Sequence, residues 1–151
     1  MSSFENFPRV TAFLWFNDNA EEAVDFYLSI FKNSRKIDEL RTPEGKILTL
    51  AFELDGQKFT ALNGGPHFQF TEAVSFVVRC DSQKEIDDYW SKLTAGGGSE
   101  VQCGWLKDKF GLSWQITPGN ISALVRHPKA MEAMLKMKKL DIAKLEQAAK
   151  D

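Results

Sequence analysis

The chain has 151 residues, of which 43% are hydrophobic, enough for one well-formed core. Its 19 basic and 21 acidic residues give a formal net charge of -2, which excludes the basic surface typical of nucleic-acid or membrane binding. No apolar run approaches the ~20 residues that span a bilayer, and positions 1–8 lack the basic and apolar segments of a leader. We therefore expect a cytoplasmic protein whose partners are small molecules or proteins.

The first half of the chain predicts the element order β-α-β-β-β. Apolar residues recur at helical spacing after Asn17-Asp18-Asn19, whose side chains can cap the free amides of a helix. Asp55-Gly56 is typical of a two-residue hairpin, because glycine supplies the positive φ that such a turn needs. The predicted elements are a strand over Val10–Phe16, a helix over Ala20–Phe31 and strands over Arg35–Arg41, Ile47–Leu54 and Lys58–Leu62.

The second half repeats this order without residue-level identity to the first. Ser82 and Glu85 form a capping box before apolar residues at helical spacing, and Gly96-Gly97-Gly98 ends that helix. The predicted strands are Ala73–Val78, Val101–Leu106 and Leu112–Thr117, with one more around Lys107–Phe110. Paired βαβββ units of this kind indicate an α+β fold.

Two further helices are predicted after the second half. Pro128 suits a first helical turn, and Asp141 caps the last helix. Met131, Met134 and Leu135 form a stripe typical of packing against the same domain or a second subunit, with a ligand channel as the alternative. We expect a single domain over 1–151, with units at about 8–63 and 72–118 and C-terminal helices at 127–151.

The chain contains two cysteines, Cys80 and Cys103, and neither belongs to a Cys-x-x-Cys arrangement. Redox and zinc-ribbon chemistry therefore have little support. We expect both thiols to be reduced and half-buried.

The densest chemistry lies around the last two strands predicted before the C-terminal helices. Trp105, Lys107, Asp108, Trp114 and Gln115 can line one cavity, with the indoles as an apolar wall and the polar groups orienting a ligand. The other interpretation is a packed core in which Lys107 and Asp108 form an exposed ion pair. The residues alone leave both interpretations open.

Short motifs run through nearly the whole chain. They are Phe13-Leu14-Trp15-Phe16, Asn19-Ala20-Glu21-Glu22-Ala23, Asn63-Gly64-Gly65-Pro66, Ala73-Val74-Ser75-Phe76, Cys103-Gly104-Trp105-Leu106-Lys107-Asp108 and Gly111-Leu112-Ser113-Trp114-Gln115. Together they are similar to the PhnB-like branch of the vicinal-oxygen-chelate superfamily, which includes glyoxalase I, extradiol dioxygenases and bleomycin-resistance proteins. The resemblance implies two curved sheets around a cleft, and a homodimer.

Members of the superfamily that use a metal place its ligands at four strand positions, usually a histidine on the first strand of each unit and a carboxylate on the last. By this resemblance the positions are Ser75 and Gln115 in the second unit, and lie near Thr11–Phe13 and Ala61–Asn63 in the first. None of them offers the imidazole or carboxylate donors of a transition-metal site. We therefore expect no metal ligands and no tightly bound cofactor. Ser75 and Gln115 must bond each other, a water or a ligand oxygen.

The first half contributes further candidates. His67 follows Gly64-Gly65-Pro66 in the connection between the halves, where it is either an exposed polar group or a residue at the mouth of a cleft. Trp15 and Asn63 are candidates for ligand binding, and core packing is the alternative for Trp15.

The sequence is compatible with two functions. The first is a binding module that holds a small, partly apolar molecule, with Trp15, Asn63, Ser75, Trp105, Trp114 and Gln115 as its ligand-binding residues. The second is a lyase, isomerase or dioxygenase with a weakly held divalent metal, in which His67 or Asp108 moves protons and Lys107 stabilises an oxyanion. Methyl transfer would need a cofactor pocket on a doubly wound parallel sheet, which this pattern lacks.

Overall fold

The computed structural model describes residues 4–151. The first three positions of segment 1–8, for which the sequence predicts no leader, lie outside the described residues. The elements are β1 (Ala12–Phe16), α1 (Ala20–Ile30), β2 (Ser34–Arg41), β3 (Ile47–Leu54), β4 (Gln57–Asn63), β5 (Ser75–Cys80), α2 (Gln83–Thr94), β6 (Ser99–Glu100), β7 (Trp105–Lys107), β8 (Ser113–Pro118), α3 (Ile121–Val125), α4 (Pro128–Leu135) and α5 (Ile142–Lys150). The chain divides into two units, Met1–Gln69 and Phe70–Asp151.

The first unit contains a mixed sheet in the order β1-β4-β3-β2, in which β1 runs parallel to β4. The apolar side of α1 packs on this sheet through buried residues that include Val24 and Tyr27. The Tyr27 ring stacks on Phe52, and Phe52 stacks on Phe59 of the neighbouring strand. These aromatic contacts form the core of the unit.

The start of α1 is capped by a distant residue. Asn19 makes no side-chain cap, contrary to the prediction for Asn17-Asp18-Asn19. The Asn63 side chain, at the end of β4, instead accepts a hydrogen bond from the Ala20 amide at 2.8 Å. Local capping was the wrong prediction here because a residue 43 positions away supplies the acceptor.

The second unit repeats the same architecture, with sheet order β5-β8-β7-β6 and β5 parallel to β8. Leu106, Trp114 and Ile116 are buried on one side of this sheet, and α2 buries Ile86 and Leu93. Each unit therefore places its first strand beside its last. The predicted α+β fold of paired βαβββ units is confirmed.

Several local predictions are confirmed as well. Asp55 and Gly56 both have positive φ, 46° and 88°, as the predicted hairpin requires. The Ser82 hydroxyl accepts a bond from the Glu85 amide at 3.2 Å. The Glu85 carboxylate accepts from the Asp81 amide at 2.8 Å, so the capping box closes one residue earlier than the usual pattern.

The strand predicted over Val101–Leu106 is wrong in its first part, and the further strand around Lys107–Phe110 is replaced by a turn. Cys103 and Gly104 have positive φ, 62° and 83°, far from the values of regular strands. Their amides donate to the carbonyls of the segment that follows α4, the Cys103 amide to Met137 at 2.8 Å. The backbone at Met137 and Lys138 thus accepts the hydrogen bonds that a neighbouring strand would otherwise accept from Cys103 and Gly104.

The C-terminal helices form a small core of their own around Leu124, Leu140 and Leu145. Met134 packs against this core, whereas Met131 and Leu135 are exposed. As predicted, Pro128 lies in the first turn of α4 and the Asp141 side chain caps α5. Among residues 4–151, no helix has both the length and the apolar character needed to cross a bilayer.

The two free thiols differ in environment, which leads to a chemical prediction. Burial raises the pKa of the Cys80 thiol to about 12, whereas Cys103 is partly exposed. Because the thiolate is the reactive form, a thiol-specific disulfide reagent at pH 8 should modify only Cys103 in the folded protein, and both cysteines in denaturant. The Cys103→Ser variant isolates Cys80, and rapid modification of that variant without denaturant would contradict the prediction.

Candidate functional site

One side of the second sheet carries most of the polar side chains predicted for binding. Directly opposed residues on neighbouring strands project to the same side of a sheet. This side, which we call the polar face, consists of two rows of opposed residues: Ser75, Ser113 and Lys107, and next to them Val77, Gln115 and Trp105. All six residues lie on the paired strands β5, β7 and β8, so the strand pairing sets the positions of their backbones.

Ser75 and Gln115 are bonded to each other across the two rows. The Gln115 side-chain amide donates to the Ser75 hydroxyl oxygen at 2.9 Å, and both residues are partly buried. Of the three partners foreseen for these groups, the structure shows the first. The bond uses one amide hydrogen of Gln115 and one lone pair of Ser75, so each side chain keeps hydrogen-bonding capacity for a ligand.

Ser113 lies between Ser75 and Lys107 in its row, and it is not among the residues predicted from the sequence. It is only 1% exposed, and its hydroxyl has no hydrogen-bond partner among the residues that the structure describes. A buried polar atom without a partner costs free energy. The strand alternation that contains Gln115 already places Ser113 on the same side, so the signal was present.

Lys107 forms an ion pair with Glu72, which belongs to the segment before β5. Both side chains are partly exposed, 37% and 55%. The Lys107 ammonium donates to this carboxylate and lowers the pKa of Glu72. The exposed pair between Lys107 and Asp108 that the core interpretation required is absent from the described residues.

Asp108 organises the turn between β7 and β8 from a buried position, at 3% exposure. One carboxylate oxygen accepts from the Phe110 and Leu112 amides, at 2.8 and 3.1 Å. The other accepts from the Trp114 indole N–H at 2.9 Å. Trp114 is itself buried, on the side opposite Gln115. These contacts give both residues a supporting position beneath the polar face.

In the first unit, Trp15 is held by the turn that follows β4. Its indole N–H donates to the Gly65 carbonyl at 2.9 Å, and a Cβ on Gly64 would overlap the indole ring. The Phe68 ring meets the indole edge to face at 4.8 Å, and the exposed His67 ring lies 6.5 Å from it. The structure therefore brings Trp15 and His67 together within this unit.

Asn63 lies in an open cleft of about 760 Å³ in the first unit. The cleft is also lined by two acidic residues, Asp18 and Glu21, and two basic residues, Arg41 and Lys46, so its formal charges balance. Both ends of the Asn63 amide are already bonded, to the Ala20 amide and to the Ile47 carbonyl at 3.1 Å. This cleft shows no preference for a ligand of either charge.

The donor set does not fit a transition-metal site. Within residues 4–151, no group of three or more His, Cys, Asp or Glu side chains is placed to hold a metal ion. Ser75 and Gln115, the second-unit positions that the resemblance compares with metal ligands, carry a hydroxyl and an amide, and these bond each other. Neutral oxygens of this kind are poor ligands for zinc, nickel or iron.

Paired βαβββ units, each with its first strand parallel to its last, define a protein of the vicinal-oxygen-chelate superfamily. The family model described as 3-demethylubiquinone-9 3-methyltransferase matches residues 8–117. The chain belongs to this family, whose members are PhnB-like proteins. No curated protein matches the chain in sequence.

Solved structures agree with this assignment. The PhnB protein from Bacillus cereus, which carries the same methyltransferase name, is 34% identical over 74% of this chain and 100% of that chain, with a TM-score of 0.69. Protein PA1353 from Pseudomonas aeruginosa is 20% identical over 74% of this chain and 98% of its own, with a TM-score of 0.62. The fosfomycin resistance protein FosX from Listeria monocytogenes, solved with Mn(II) and sulfate, is 16% identical over 73% of this chain and 90% of its own, with a TM-score of 0.54. The last two similarities concern the fold alone.

Proposed function

We propose that the second unit binds a small, partly apolar molecule on its polar face, without a tightly bound catalytic metal. The observation that carries this proposal is the Ser75–Gln115 hydrogen bond. It places a neutral hydroxyl and a neutral amide at the two positions where metal-using relatives carry ligands. Such groups suit the carbonyl or hydroxyl oxygens of an organic molecule.

The apolar part of the ligand would lie along the second row of the polar face. Trp105 and Val77 stand on either side of Gln115 in this row, and Val77 is 60% exposed. An indole and a branched aliphatic side chain around one amide form a surface for a ring or a short hydrocarbon. The other row of the polar face, Ser75, Ser113 and Lys107, which we call the polar row, would then fix the orientation of the molecule.

The topology does not favour methyl transfer, although the family carries that name. Cofactors with a nucleoside part are typically held by doubly wound parallel sheets with a glycine-rich turn. Both sheets here are mixed and have their first strand beside their last. The enzyme alternative, with His67 or Asp108 moving protons, gains no specific support, because three donors already engage the Asp108 carboxylate.

The test is a titration of the protein with neutral aromatic amides such as benzamide, followed by NMR of the four tryptophan indole N–H groups. Trp105, assigned with a Trp105→Phe variant, should respond. We expect Gln115→Ala to weaken binding roughly fivefold, the effect of one lost hydrogen bond. Gln147→Ala, which removes an exposed glutamine bonded only to Asp151 among the described side chains, is the control.

Two results would overturn the proposal. One is an unresponsive Trp105 resonance with every aromatic probe, neutral or charged. The other is a stoichiometric metal in the purified protein that disappears in Gln115→Ala. The homodimer, the single domain and the cytoplasmic location expected from the sequence stay predictions.

A further inference from the structure

The polar row contains more hydrogen-bond donors than acceptors. The Ser113 hydroxyl has no partner among the described residues, and the Ser75 hydroxyl acts as an acceptor towards Gln115, which leaves its own proton to donate. Lys107 adds an ammonium group at the end of the same row. A row of this kind is suited to an oxygen that carries negative charge.

A carboxylate already occupies the ammonium end of this row. Glu72 comes from the segment before β5 and pairs with Lys107 while more than half of its side chain remains exposed. Exposed ion pairs contribute little to stability, so a competing anion can displace such a partner at small cost. The ion pair does not involve Ser113, whose hydroxyl has no partner among the described residues.

We infer that the ligand of the polar face carries a carboxylate, which pairs with Lys107 in place of Glu72 while its apolar part lies against Trp105. This inference rests on the proposed function and adds the chemical class of the ligand, a small apolar carboxylic acid. Glu72 is then an internal competitor that keeps Lys107 paired in the free protein. The unpaired donor of Ser113 gains an acceptor when the ligand carboxylate enters the row.

The experiment compares benzoate with benzamide, which have the same ring and differ in charge. The wild-type protein should bind benzoate more tightly, as measured by the Trp105 indole resonance. Glu72→Gln should raise the affinity for benzoate about two- to fivefold, because the internal carboxylate no longer competes, and leave that for benzamide unchanged. Lys107→Gln should abolish the preference for benzoate.

Asp88→Asn is the matched control, because it removes the carboxylate of another exposed ion pair in the same unit, with Lys84. It should change neither affinity. The inference is overturned if Glu72→Gln leaves benzoate binding unchanged, if benzamide gains equally, or if benzoate and benzamide bind equally well to the wild-type protein. In each of those cases the aromatic probe still binds and the proposed function stands. If neither compound shifts the Trp105 resonance, the proposed function fails together with the inference.

Discussion

Asp108→Ala should lower the free energy of unfolding by about 3–5 kcal/mol, because the change leaves several buried donors without an acceptor and each costs ~1–3 kcal/mol. Those donors are the Phe110 and Leu112 amides and the Trp114 indole N–H. Asp108 is only 3% exposed, so bulk water reaches these donors poorly once the carboxylate is removed. Chemical denaturation followed by circular dichroism measures the effect.

Asp141→Ala is the control for this prediction. Asp141 also accepts a hydrogen bond from a backbone amide, that of Lys144, but at a partly exposed helix start. The loss of such a cap costs about 1 kcal/mol. If Asp108→Ala costs no more than this, Asp108 does not support the turn as described.

A loss of ligand binding in an Asp108 variant would not show that Asp108 contacts the ligand. Asp108 directly follows Lys107, and the turn that it organises joins β7 to β8, two of the three strands of the polar face. A variant of Asp108 should therefore weaken the proposed ligand binding by loosening Lys107. Glu72 and Gln115 are better positions for functional tests, because neither is part of the buried hydrogen bonds of the turn.

Most of the fold could be predicted because its signals are local. Helical spacing, the Asp55-Gly56 hairpin and the Ser82 cap each depend on residues close together in the chain. The errors occur where a distant segment decides the conformation. The turn at Cys103 depends on carbonyls that follow α4, and the cap of α1 on Asn63.

The candidate site was predicted less completely. One of the two interpretations places Trp114 and Gln115 in one cavity, although consecutive strand residues project to opposite sides of a sheet. The alternation was thus sufficient to separate them. Trp105, by contrast, lies directly opposite Gln115. This pairing can be predicted only if the register of β7 on β8 is known, and the pattern of a single strand does not define that register. Glu72 lies outside every predicted strand, so its pairing with Lys107 had no local signal.

Gly98→Ala should destabilise the protein by about 3 kcal/mol, the upper end of the usual cost of overpacking. A Cβ at this position would lie 2.7 Å from the Lys107 carbonyl oxygen and 2.8 Å from the backbone of Thr94. Both neighbours are backbone atoms, so no side-chain rotation relieves the contact. The end of α2 or the strand β7 must move, and β7 carries two residues of the polar face.

The variant should therefore change the binding site as well as the stability. We expect the Trp105 indole resonance to shift in the ligand-free protein, because Trp105 lies on β7, next to the backbone that the new Cβ meets. Gly45→Ala is the control, since a Cβ there meets nothing within 4 Å and the cost comes only from its φ of +86°. That cost is about 1–2 kcal/mol, and the Trp105 resonance should stay unchanged. A Gly98→Ala protein as stable as the Gly45→Ala control, with an unshifted Trp105, would show that β7 is not pressed against the end of α2.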